Sequence, residues 1–171
     1  MYFILNLLDE IFKCGGPPMK TLALTSLLLC GLASIPTLCF ANADPLIGKW
    51  KTIDTRTGFS LSDVVIQKAT NGTYNATIIN LRSVPGAVMQ TTCSKCSGEF
   101  KNKPLVGFTP LTNLRLSPNH DSEFVGGKYL DPRSGLEFKT KAKLNNGGKL
   151  LLLRNTTTDS ISGQNLTWIK Y

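Results

Sequence analysis

From Leu136 to Leu144 the chain alternates without a break: Leu136, Phe138, Thr140, Ala142 and Leu144 are interleaved with Glu137, Lys139, Lys141 and Lys143. Side chains of an extended strand point to opposite faces in turn, so the charges share one face and the apolar groups the other. Such a segment fits a strand with one face on a core and one in water, the usual position in an antiparallel sheet. Shorter runs of the same kind are expected as strands at 46–54, 61–68, 73–82, 106–113, 123–130, 149–156 and 165–170, giving eight with 136–144. Asn71-Gly72, Asp131-Pro132-Arg133-Ser134-Gly135 and Asn145-Asn146-Gly147-Gly148 lie between successive strands as hairpin turns. No segment after residue 44 has a period of 3.6, so crossover helices, and with them a parallel sheet, are not expected.

Eight sequential antiparallel strands leave two exposed edges unless the first pairs with the last. Closure removes both, and the fold expected is an all-β, eight-stranded up-and-down barrel. Gly48-Lys49-Trp50 on the first strand resembles the Gly-x-Trp signature of lipocalins, whose tryptophan plugs the closed end of the barrel. Trp168 on the last strand would be brought near it by closure. In lipocalins an arginine near the last strand packs over that tryptophan, whereas Gly163-Gln164-Asn165-Leu166-Thr167-Trp168 contains none.

The barrel domain is expected at 44–171, because what precedes it reads as an export leader. Met19-Lys20 opens a basic region, Leu22 to Leu32 is apolar, Pro36 breaks the run, and Ala41-Asn42-Ala43 places small residues where signal peptidase cuts. A spanning helix needs roughly 20 apolar residues, about twice this core, so residues 19–43 read as a cleaved Sec-type signal peptide rather than an anchor. No transmembrane segment remains after cleavage on this reading. Residues 1–18 read as an upstream extension of the true start at Met19. The expected compartment is the periplasm, with secretion as the alternative.

Nineteen basic residues against eleven acidic give a formal charge of +8, and the leader removes two of each sign, so the barrel keeps the whole excess. That balance would suit anionic surroundings, but a solvated basic face that aids solubility is the preferred reading. No arginine-rich run or stripe of stacking aromatics appears, and a nucleic-acid partner is not expected.

The longest connection, about 83–105, carries Cys93 and Cys96, the cysteines outside the leader. Loops of that length are usually functional or specifically tied down. In an oxidising compartment a structural disulfide is the default for such a pair, worth on the order of 2 kcal/mol for so small a ring. A thiol/disulfide redox site is the alternative, but it calls for the pair at the start of a helix in a βαβ setting. Zinc would need two further ligands, and a single His120 without a second Cys-x-x-Cys does not supply them, so no metal site is expected. Glu99, with Lys101 and Lys103 nearby, reads as an anchor for the loop through an ion pair.

No catalytic constellation emerges. His120 sits in the polar turn Ser117-Pro118-Asn119-His120-Asp121-Ser122, there is no Gly-x-Ser-x-Gly elbow, and Asp54, Asp63, Glu99, Asp131 and Glu137 are scattered. Asp131 reads as the cap of its own Asp-Pro-x-x-Gly turn.

Several blocks together resemble one exported bacterial family, domain of unknown function 2147. These are Asp44-Pro45-Leu46-Ile47-Gly48-Lys49-Trp50, the ordered stretch from Cys93 to Gly107, Gly126-Gly127-Lys128-Tyr129-Leu130-Asp131-Pro132, and Gly147-Gly148-Lys149-Leu150. The chain departs from the family pattern at two places: Arg154-Asn155 stands where Arg-Gly is usual, and Gln164 stands where Gly163 is usually followed by arginine. The resemblance implies a calycin-like barrel in the envelope and brings no reaction with it. The expected role is binding of a small apolar or amphipathic ligand without catalysis or cofactor, with Trp50, Ile66, Ala76, Ile78 and Phe138 as the inward-facing candidates. A filled barrel acting as an envelope interaction module is the alternative, since barrels of eight strands are just wide enough for side chains or one small ligand. Nothing in the sequence speaks to oligomeric state.

Overall fold

The structure, a computed structural model, describes residues 43–157 and 163–171; the segments expected above as an upstream extension (1–18) and a signal peptide (19–43) lie, but for residue 43, outside this range. Eight strands follow one another: β1 (Gly48–Ile53), β2 (Ser60–Lys68), β3 (Tyr74–Leu81), β4 (Leu111–Ser117), β5 (His120–Leu130), β6 (Glu137–Asn145), β7 (Leu150–Thr156) and β8 (Gly163–Lys170). Each pairs antiparallel with the next, and β1 pairs with β8 through Trp50–Lys170 and Thr52–Trp168, so the barrel closes as the alternation requires.

β6 shows most directly how sequence sets the register. Phe138, Thr140, Ala142 and Leu144 are buried while Glu137, Lys139, Lys141 and Lys143 are exposed. β4 is the exception to the expected boundaries, running from Leu111 to Ser117 rather than over 106–113. Pro110 has no N–H to give to a ladder. Asn113 then takes φ +60°, its N–H bonded to Asn75 Oδ1 at 3.0 Å, and the resulting bulge turns both Leu111 and Leu114 inward.

The barrel is packed solid at one end. Trp50, Ile66, Ala76, Leu111, Leu114 and Leu151 are fully buried there, each large apolar side chain contributing about 1.5–3 kcal/mol. The segment before β1 folds across this end: Leu46 is fully buried, its carbonyl accepts the Trp50 indole N–H at 3.0 Å, and Asp44 accepts the Tyr74 hydroxyl at 2.6 Å. Lys170 lies over the Trp50 ring and donates to the Pro45 carbonyl at 2.6 Å, so a lysine on β8 covers the plug in the absence of the arginine. Gly48 leaves the space for it: a Cβ there would stand 3.1 Å from the Lys170 side chain, and φ is +133°.

Candidate functional site

In an up-and-down barrel alternate connections gather at each end. The plugged end carries the β2–β3, β4–β5 and β6–β7 turns. The other end carries the β1–β2, β3–β4, β5–β6 and β7–β8 connections, and there the interior opens into a cavity of about 410 Å³. Ligand pockets usually fall at roughly 300–1,000 Å³. Trp168, Val64, Ile78 and Leu166 give it an apolar floor and wall, with Tyr129 from β5. Burial pushes the Tyr129 hydroxyl far above its ordinary pKa, with the Asp131 charge adding to the effect, so it stays a neutral phenol.

The long β3–β4 connection forms one side of the mouth. Its first limb lines the cavity with Val84, Ala87, Val88, Met89 and Gln90. The second is tied down. Cys93 and Cys96 form a disulfide, Cys93 N–H donates to the Lys103 carbonyl at 2.9 Å, and Leu105 N–H donates to that of Thr91 at 2.8 Å. Gln90 Nε2 bridges the carbonyls of Thr92 and Pro132, at 2.8 and 2.7 Å, joining the loop to the β5–β6 turn. Gly135 in that turn has φ +75° and packs so close that a Cβ would collide with the Lys95 carbonyl. The Glu99–Lys103 pair, 3.9 Å apart and largely exposed, lies within the loop and does not reach the barrel; Lys101 is exposed.

Charge at the mouth is internally balanced. Arg82 grips Asp63 through two hydrogen bonds of 3.0 and 2.9 Å, with Asn80 adding a third at 3.1 Å. Asp54 accepts the Arg56 N–H at 2.9 Å and faces Arg133 at 3.9 Å; that backbone hydrogen bond foremost, outweighing the effect of burial, holds its carboxyl below the ordinary value. Asp131 caps its turn by accepting the Arg133 N–H and the Ser134 hydroxyl at 3.0 and 2.8 Å. Asp54, Asp63 and Asp131 are thus committed to structure. His120 is exposed at the start of β5, at the opposite end, and Glu137 pairs with Lys128 at 3.5 Å. Among the described residues no group of His, Cys, Asp and Glu side chains is placed to hold a metal ion.

Of the five inward candidates read from the sequence, Ile78 lines the cavity. Trp50, Ile66 and Ala76 are fully buried toward the plugged end, and Phe138 is buried on β6 outside the lining. The residues sequence reasoning passed over are Trp168, Leu166, Tyr129 and the loop limb from Val84 to Met89. A signal for the last existed in the apolar Val88 and Met89, 99% and 46% exposed in a long polar connection. Asn155 and Gln164, the two departures from the family pattern, are register partners across β7 and β8.

An eight-stranded antiparallel barrel, plugged by a tryptophan of its first strand and hollow at the other end, defines a lipocalin-like architecture. The chain belongs to the family described as uncharacterized proteins conserved in bacteria (DUF2147), whose model matches residues 48–170. Among solved structures it is similar to a Helicobacter pylori protein described as belonging to the lipocalin family. The identity is 20%, with 74% of this chain and 82% of that one covered and a TM-score of 0.58, a likeness of fold. No curated protein matches the chain.

Proposed function

We propose that this protein is an exported envelope protein that takes up one small apolar or amphipathic molecule at the open end of its barrel, without chemistry. The observation that carries the reading is the 410 Å³ cavity with Trp168, Val64, Ile78 and Leu166 at its base. An apolar base under a polar mouth suits a molecule with an apolar body and one polar end. Catalysis finds no support in the mouth carboxylates, each of which is held by turn hydrogen bonds or by arginine. Redox exchange finds none either, because Cys93 and Cys96 are 0% and 3% exposed and a partner thiolate needs access to a sulfur. Of the alternatives, the filled barrel describes the plugged half alone.

Titration with the neutral fluorescent probe N-phenyl-1-naphthylamine tests the reading. The probe should brighten on binding and be displaced by single-chain lipids. Leu166→Trp, which fills the cavity from a half-buried position, should abolish binding while the protein stays folded. No binding by the parent protein would reject the reading.

A further inference from the structure

The inner face of the barrel carries a polar row at its open end. Thr140 on β6, Asn155 on β7 and Gln164 on β8 are consecutive register partners, and the burial alternation of β6 and β7 turns Thr140 and Asn155 inward. Thr140 Oγ1 donates to Asn155 Oδ1 at 2.7 Å, which uses the carbonyl side of the amide. The other side has no partner: Asn155 is 0% exposed and its Nδ2 makes no hydrogen bond. Across the register, Gln164 Oε1 is also buried without a partner, and Gln164 lines the cavity two residues above Leu166 and four above Trp168. Leaving one donor and one acceptor unpaired in so small a volume is costly, and buried polar groups are nearly always satisfied.

We propose that Gln164, which lines the cavity, and its register partner Asn155, fully buried just outside the lining, form the head-group site and select an uncharged group that both accepts and donates hydrogen bonds, a primary carboxamide being the best match. The inference rests on the cavity binding a small amphipathic molecule and adds which polar end it takes. A carboxamide oxygen accepts from Asn155 Nδ2 while its N–H donates to Gln164 Oε1. A carboxylate has no hydrogen for Gln164 and an ammonium no lone pair for Asn155, so each leaves one buried amide atom unpaired and loses its own hydration as well. Of the charged groups in the lining, Arg82 is bound to Asp63, Arg133 stands 3.9 Å from Asp54 and Asp131 is held by its own turn, while Arg56 is exposed on the β1–β2 connection.

The test is competition against N-phenyl-1-naphthylamine with three chains of equal length: decanamide, decanoate and decylamine. The carboxamide should displace the probe at about one-tenth the concentration of either ion, the discrimination expected when a site's buried polar groups would otherwise go unpaired. Gln164→Met should lose the preference, read as the ratio of the three displacing concentrations within that variant. Gln164→Glu should turn it toward the ammonium, a change no purely structural role would produce. Equal displacement by all three in the parent, or an unchanged preference in both variants, would overturn the assignment and leave the cavity reading standing, the amides then being satisfied by water alone. Failure of the parent to bind the probe would remove the cavity reading and this inference together.

Discussion

The Lys170 ammonium stands 5.4 Å from the centroid of the Trp50 ring. The two residues are register partners on the strands that close the barrel, so the cation that caps the plug also reports closure. A cation over an indole contributes about 0.5–2 kcal/mol depending on desolvation. Lys170→Met, which keeps the apolar stem, should lower stability by about 1 kcal/mol, and Lys170→Arg should restore most of it. Gly48→Ala should cost more, about 2 kcal/mol, because it both displaces Lys170 and strains a backbone at φ +133°. Urea unfolding of the three variants checks the order.

The register of β6 predicts opposite outcomes at adjacent positions. Phe138 is 8% exposed and Lys139 faces water, so Phe138→Lys should destabilise by about 3 kcal/mol or more while Lys139→Phe stays within about 0.5 kcal/mol. Lys141 is directly opposite Arg154 on the outer surface, and Lys141→Glu should gain a few tenths of a kcal/mol by removing the like-charge pair. Equal effects from Phe138→Lys and Lys139→Phe in thermal melts would contradict this register.

These strands differ in how much of them can be read from sequence, for physical reasons. β6 is regular and solvated on one side, so its period is plain. β4 hides its own because the bulge at Asn113 puts two leucines three residues apart on the same face. Alternation identifies the inward face of a strand but not the height along the barrel axis. Trp50, Ile66, Ala76 and Ile78 all point in, yet the first three pack the plugged half and the fourth reaches the hollow one. The loop that walls the cavity has no period at all, and its placement depends on contacts between Gly135 and Lys95 that only the folded chain brings together.

That contact makes the long loop sensitive to a single methyl group. Cys93→Ser should cost about 2 kcal/mol, the value of a small ring, with the fold retained. Gly135→Ala should cost at least as much and should loosen the loop, because a Cβ cannot coexist with the Lys95 carbonyl and φ is +75°. Hydrogen exchange at the amides of Cys93 and Leu105, which are bonded to Lys103 and Thr91, reads the loosening directly.

Acid should weaken the plugged end. Burial alone would raise the Asp44 carboxyl, but hydrogen bonds from the Tyr74 hydroxyl, the Leu46 N–H and Lys68 outweigh it and hold the group below its ordinary value of 3.8. A carboxylate depressed in the folded state lends stability that is present above its unfolded value and is lost as pH falls through the folded one. Melting temperature should therefore be flat above about pH 5 and fall below about pH 4, with Asp44→Asn lowering the plateau and flattening the acid limb. An acid limb identical in the parent and Asp44→Asn would show that Asp44 does not hold this end.

On the function proposed, the open end of the barrel is occupied by one small molecule in the cell. Native mass spectrometry of the protein purified from the cells that make it, compared with the denatured mass of the same preparation, tests it whatever the chain's N-terminus. The native mass should exceed the denatured one by a single small amphipathic molecule, with no such difference for Leu166→Trp. A bare native mass for the parent, or an adduct retained equally by Leu166→Trp, would contradict it.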